Sequence, residues 1–227
     1  MSAKIRVLTV LVACFAVLMV FQPAARADVQ MTLMTTPFGQ TSPYQFQVDT
    51  SLLWLVCNDD YDTISIGSTW HANVLKGSDA DFDTKIVATD FAGDVLADYA
   101  SLLLPTPDLL RLYDVDAYLK LELYSAFYAH NTNAQTVYSN AVWQLFKPSM
   151  GVTVGDAALT AAKAAAPVGY RQLLTIYDPS RTGLIEGGYG TGNEPQQFES
   201  VPDGGVTLML LGGALVGLET LRRRFRV

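Results

Sequence analysis

The chain has 227 residues, of which half are hydrophobic and 11% aromatic, enough for one ordinary domain with a buried core. Its net charge is −7, and the span Asp28 to Ser200 is more acidic still, with eight Lys and Arg against twenty Asp and Glu, a net of −12. That balance excludes a basic stripe for nucleic acid and disfavours docking on anionic lipid heads.

Residues 1–27 have the three parts of a secretory signal. Lys4 and Arg6 give a positive start, Val7 to Phe21 is apolar, and Ala25-Arg26-Ala27 places small side chains at a cleavage site, so Asp28 is the expected new N-terminus. Cys14 lies in the apolar run. Cys57 is therefore the only cysteine expected in the mature chain, which leaves no internal disulfide.

Val29 to Thr35 alternates loosely and Tyr44 to Val48 strictly, as strands do. Leu52 to Cys57 is a continuous apolar run of strand length, broken by the turn Asn58-Asp59-Asp60-Tyr61-Asp62. Strands are expected again over Thr63–Gly67 and Ser68–Val74. Helical spacing then takes over. Asp90 to Leu104, Asp116 to Ala129, Thr136 to Phe146 and Asp156 to Ala166 each read as helices, punctuated by Pro105, Pro107, Pro148 and Pro167. Tyr170 to Tyr177 is expected to return as a strand, and Gly183 to Ser200 is glycine-rich and polar, as linkers are. The fold expected is α+β: a small antiparallel sheet packed with several helices, flanked by a signal peptide and a C-terminal transmembrane helix. The domains expected are a signal peptide over 1–27, an extracytoplasmic domain over 28–184, a linker over 185–200 and a tail over 201–227.

The tail reads Val201-Pro202-Asp203-Gly204-Gly205, an apolar run from Val206 to Leu221, then Arg222, Arg223, Arg224 and Arg226. The arginines are expected in the cytoplasm and the rest outside, which agrees with the signal. Motif, short span and arginine cluster together resemble the PEP-CTERM sorting tail of bacteria that make exopolysaccharide, in a Val-Pro-Asp variant. The resemblance implies processing by an exosortase, with signal peptidase acting at the other end. It also implies anchoring in the inner membrane through the C-terminal helix and then a place on the cell surface or outside, with exopolysaccharide as a possible partner.

Within the domain, Leu55-Val56-Cys57, then Ile64-Ser65-Ile66-Gly67-Ser68-Thr69-Trp70, and later Ala141-Val142-Trp143 resemble the thioester domains of bacterial surface adhesins. There a cysteine thiol and a glutamine amide form an internal thioester. The glutamine stands four residues before the helical tryptophan, a position held here by Ser139, which has no acyl group. Gln135, one helical turn earlier on the same face, is the alternative partner for Cys57.

Little points to catalysis. There are two histidines, His71 and His130, no Gly-x-Ser-x-Gly elbow, and no lysine in Gly187 to Gly192 to make a phosphate loop. Asp79, Asp81, Asp83 and Asp90 echo a calcium loop, but Thr84 replaces the turn glycine and Asp90 the bidentate glutamate, so a solvated acidic loop is expected. No catalytic residue, metal ligand or cofactor is assigned. A structural or adhesive role at the cell surface or in the exopolysaccharide matrix is expected, with a thioester adhesin or a surface glycan hydrolase as alternatives.

Overall fold

The structure is a computed structural model that describes residues 28–35, 41–58, 66–179 and 197–201. Six strands close into an antiparallel barrel: β1 (Asp28–Thr35), β2 (Tyr44–Val48), β3 (Ser51–Cys57), β4 (Thr69–Lys76), β5 (Thr175–Pro179) and β6 (Phe198–Ser200). The spatial order is β1-β2-β3-β6-β5-β4, with β4 returning to β1. Between β4 and β5 the chain forms five helices, α1 (Phe82–Ile86), α2 (Asp90–Ser101), α3 (Leu109–Tyr128), α4 (Thr132–Phe146) and α5 (Asp156–Ala165).

The closed barrel corrects the expected fold class, a small antiparallel sheet packed with several helices. Closure depends on β6, which lies within the span read as linker. Phe198 pairs with Cys57 on one side and Tyr177 on the other. The transmembrane helix expected over Val206 to Leu221 lies outside the described residues. Among those described, no helix is long and apolar enough to cross a membrane. The longest, α3, has twenty residues but carries Arg111, Asp114, Asp116, Lys120 and Glu122.

Two cores follow from the period-two alternation of strands. Met31, Leu33, Phe46, Leu55, Cys57, Trp70 and Phe198 fill the barrel, where Phe46 and Phe198 have ring centroids 4.5 Å apart. The alternate residues Val56, Ile176 and Val201 join the second core, among the helices. Helix α3 brings Tyr113, Asp116, Lys120 and Tyr124 to the buried side at helical spacing. The Tyr124 hydroxyl donates to the Trp54 carbonyl at 2.5 Å, fastening α3 to β3.

Local chemistry explains where the helices start. Asp108 caps α3 by accepting from the Arg111 amide, so the helix begins at Leu109, seven residues ahead of the expected start at Asp116. Asn131 likewise caps α4 through the Ala134 amide. At the end of β4, Gly77 donates its amide to Leu174, and a Cβ there would lie 1.8 Å from the Arg171 carbonyl oxygen. Gly77→Ala is expected to cost about 2–3 kcal/mol, the upper end for overpacking, because backbone rather than a flexible side chain must yield. Urea unfolding of the two proteins measures it.

Candidate functional site

The sorting and signal residues fall mostly beyond the described segments. Ala25, Ala27, Pro202, Asp203, Gly204, Gly205, Arg222, Arg223, Arg224 and Arg226 lie outside them. Asp28 opens β1, with its carboxylate 3.2 Å from His71 Nδ1. Val201 is buried in the helical core directly after β6, so the motif begins inside the fold.

Cys57 ends β3 as a buried thiol facing the barrel interior. Its amide donates to Ser42 Oγ at 3.2 Å, and its carbonyl accepts from Trp143 Nε1 at 2.9 Å. Ser139 Oγ donates to the Ser42 carbonyl at 3.5 Å. Cys57 is thus bonded to Ser42 and to Trp143, and Ser139, the serine without an acyl group, is bonded to Ser42. Gln135 is buried one turn earlier on α4. Cys57 is expected to react slowly with an alkylating reagent in the native protein and promptly in denaturant, which a timed mass-shift assay reads.

The acidic segment after β4 is not an open loop. Phe82 and Ile86 turn inward as α1, Asp81 pairs with Lys85 at 2.8 Å, and Asp83 accepts from Arg171 Nε at 2.9 Å and Nη2 at 3.1 Å. These hydrogen bonds hold both carboxyls below their usual range. Arg171 also reaches the buried Asp114, which accepts the Gly169 and Arg171 amides at 3.0 Å each. A forked guanidinium thereby clamps α1, α3 and the chain entering β5. Among the described residues, no group of three or more His, Cys, Asp or Glu is placed to hold a metal ion.

The chief concentration of buried polar groups lies between α3 and the β3–β6 seam. Lys120, Asp116, Glu199 and Gln197 have no exposure, and Asn58 and Tyr113 have 1%. Lys120 Nζ donates to Asp116 Oδ2 at 2.6 Å and to Glu199 Oε2 at 2.5 Å. Asn58 Nδ2 donates to Glu199 Oε1 at 2.6 Å and to Gln197 Oε1 at 2.8 Å. The Tyr113 hydroxyl donates to Gln197 Oε1 at 3.3 Å, and Gln197 Nε2 to Asp178 at 2.9 Å.

This arrangement sets a protonation state. Burial, followed by the Asp116 charge, pushes the Glu199 carboxyl well above its ordinary range against the pull of Lys120. Asp116 Oδ1 is buried without a hydrogen-bond partner among the described residues. A neutral Glu199 reduces the number of charges that the dry site must hold. Burial, then the nearby Glu199 and Asp116, raises the Tyr113 phenol well above its usual value, so it remains a donor. Chemically, the site holds an amine, a carboxylate placed to take its proton, and an acid in contact with a carboxamide.

The sequence reading missed this cluster. Asn58 reads as a turn residue, Asp116 as a helix start and Glu199 as linker. The available signal was Lys120, a lone cation inside an apolar helical stripe.

Residues 200–225 match the VPDSG-CTERM motif, with Gly204 where the motif's name has serine. This is a sorting signal of the PEP-CTERM type, and it points to an exported protein processed by an exosortase-type enzyme. No curated protein and no solved structure matches the chain.

Proposed function

We propose that this exported chain serves as a structural or adhesive module of the cell surface or exopolysaccharide matrix, without catalytic activity, released to that place by exosortase processing. The sorting motif beginning directly after β6 carries the reading. A sealed polar cluster supports the non-catalytic part: its members have no route to a dissolved substrate and tie strands to α3 instead. A thioester adhesin is disfavoured, because the residue that shares Ser42 with Cys57 is Ser139.

The test compares the full chain in cells with and without an exosortase, by fractionation and intact mass. Loss of the tail and arrival at the surface only with the enzyme are expected. A tail retained in both strains, or turnover of a surface glycan by the purified protein, overturns the proposal. Replacing Arg222, Arg223, Arg224 and Arg226 by Ser is expected to block processing.

A further inference from the structure

The described residues include one lysine with no exposure, Lys120. Full burial of a lysine is rare and calls for a specific use or a specific partner. Its nitrogen and the carboxamide nitrogen of Asn58 are held on the two oxygens of a single carboxyl group, Glu199, at 2.5 and 2.6 Å. The Asn58 carbonyl oxygen has no donor at all, an uncompensated polar atom in a dry core. The amine's second partner, Asp116, lies one turn back on the same helix at 2.6 Å. A nucleophile with its base and an acyl group are therefore held on the two oxygens of one acid, Glu199, where water is excluded.

We propose that Lys120 and Asn58 are joined by an intramolecular isopeptide bond that forms after folding. Asp116 Oδ2 takes a proton from the Lys120 ammonium, a transfer that burial favours because it replaces two charges by two neutral groups. The free amine adds to Asn58 Cγ. Glu199 gives its proton to the developing oxyanion, which relieves the orphaned oxygen in the same movement. Collapse of the adduct breaks the Cγ–Nδ2 bond. The adduct returns its hydroxyl proton to Glu199, and the departing nitrogen takes up one proton from the adduct's amine and one from Asp116 and leaves as ammonium. One C–N bond forms and one breaks, nothing is oxidised or reduced, and Asp116 and Glu199 are restored to the states in which they began.

Asn58 is the acyl donor rather than either acid. A carboxylate such as Asp116 resists addition of an amine, and an amide to Asp116 would merely bridge one turn of α3. The link to Asn58 joins the end of β3 to the centre of α3 and closes a long loop, restricting the unfolded chain as a disulfide would. It would supply a cross-link to a mature domain in which Cys57 is the only cysteine expected.

The test is intact-mass spectrometry of the purified full-length chain under reducing conditions, followed by peptide mapping. The expected result is a mass lower by one ammonia and a branched peptide containing Asn58 and Lys120, with no cleavage after Lys120 by trypsin. The deficit is expected to persist in Cys57→Ala and after hydroxylamine, which separates it from a thioester. Glu199→Gln, which keeps a hydrogen-bonding group for Asn58, is expected to restore the full mass. A wild-type chain of full mass, a water-sized deficit with Asp116 or Glu199 in the branched peptide, or a deficit abolished by Cys57→Ala each overturns the proposal. The wild-type measurement decides even if Glu199→Gln fails to fold.

Discussion

Replacing Lys120 by methionine is expected to destabilise the domain by about 3–5 kcal/mol, the range for removing one partner of a buried charge network. Methionine fills much of the same volume, so the loss is not one of packing but of the Lys120 nitrogen, through its contacts with Asp116 and Glu199 and the cross-link proposed for it. Asp116 and Glu199 would be left with no cation in a site closed to water. The triple variant Asp116→Asn, Lys120→Met, Glu199→Gln is expected to regain part of that loss, because it strands no charge. Denaturant unfolding of both variants measures the difference. The pH dependence has a definite sign. The folded state raises the Glu199 carboxyl above its unfolded value, so the native protein binds the extra proton. That contribution is complete below the ordinary carboxylate range and is lost as pH rises through the folded value. Asp81 and Asp83 act in the opposite direction, losing their contribution as pH falls, but both carboxyls lie at the surface and solvent weakens the effect.

Phe198→Ala is expected to cost about 3–5 kcal/mol, as deletions of buried phenylalanine do. The ring has no exposure and lies 4.5 Å from Phe46, 6.0 Å from Tyr44 and 6.1 Å from Trp70, so its loss opens a cavity in the barrel. The aromatic contacts with Trp70 and Tyr44 give a direct readout. Near-ultraviolet circular dichroism is expected to weaken alongside the fall in the unfolding midpoint. An unchanged midpoint would mean that β6 contributes nothing to the closed barrel.

Most strands and helices could be read from apolar periodicity. Tyr44 to Val48 alternates strictly because one face fills the barrel, and Leu52 to Cys57 is apolar throughout because Leu55 and Cys57 face the barrel while Val56 faces the helices. The same rule fails for β6. Around Phe198, the residues Gln197 and Glu199 are polar yet buried, since they face Lys120, Asn58 and Tyr113 rather than hydrocarbon. A pattern of polar, aromatic, polar beside a glycine-rich stretch carries no hydrophobic signal, so closure of the barrel was not legible. Asp114 and Asp116 concealed the first turns of α3 for the same reason: each is buried against a cation, Asp114 against Arg171 far along the chain and Asp116 against Lys120 one turn later. Trp143 and Cys57, by contrast, were marked together by their motif, and the fold joins them through one hydrogen bond.

Among the described residues, the last strand to leave the ribosome is the one that closes the barrel. β6 inserts between β3 and β5, and the bond from Asn58 to Gln197 spans 139 residues. A chain delivered N-terminus first can pair β1, β2, β3 and β4 early, but β3 and β5 keep open edges until residue 200 arrives. Such edges invite pairing with other chains, and contacts this remote in sequence form slowly. Phe198, Glu199 and Val201 then seat the aromatic, ionic and apolar plugs of the fold in one short stretch that runs into the sorting motif. Completion of the domain is thereby timed to the arrival of its own address label, so a chain truncated before that label is a chain with its seam unsewn.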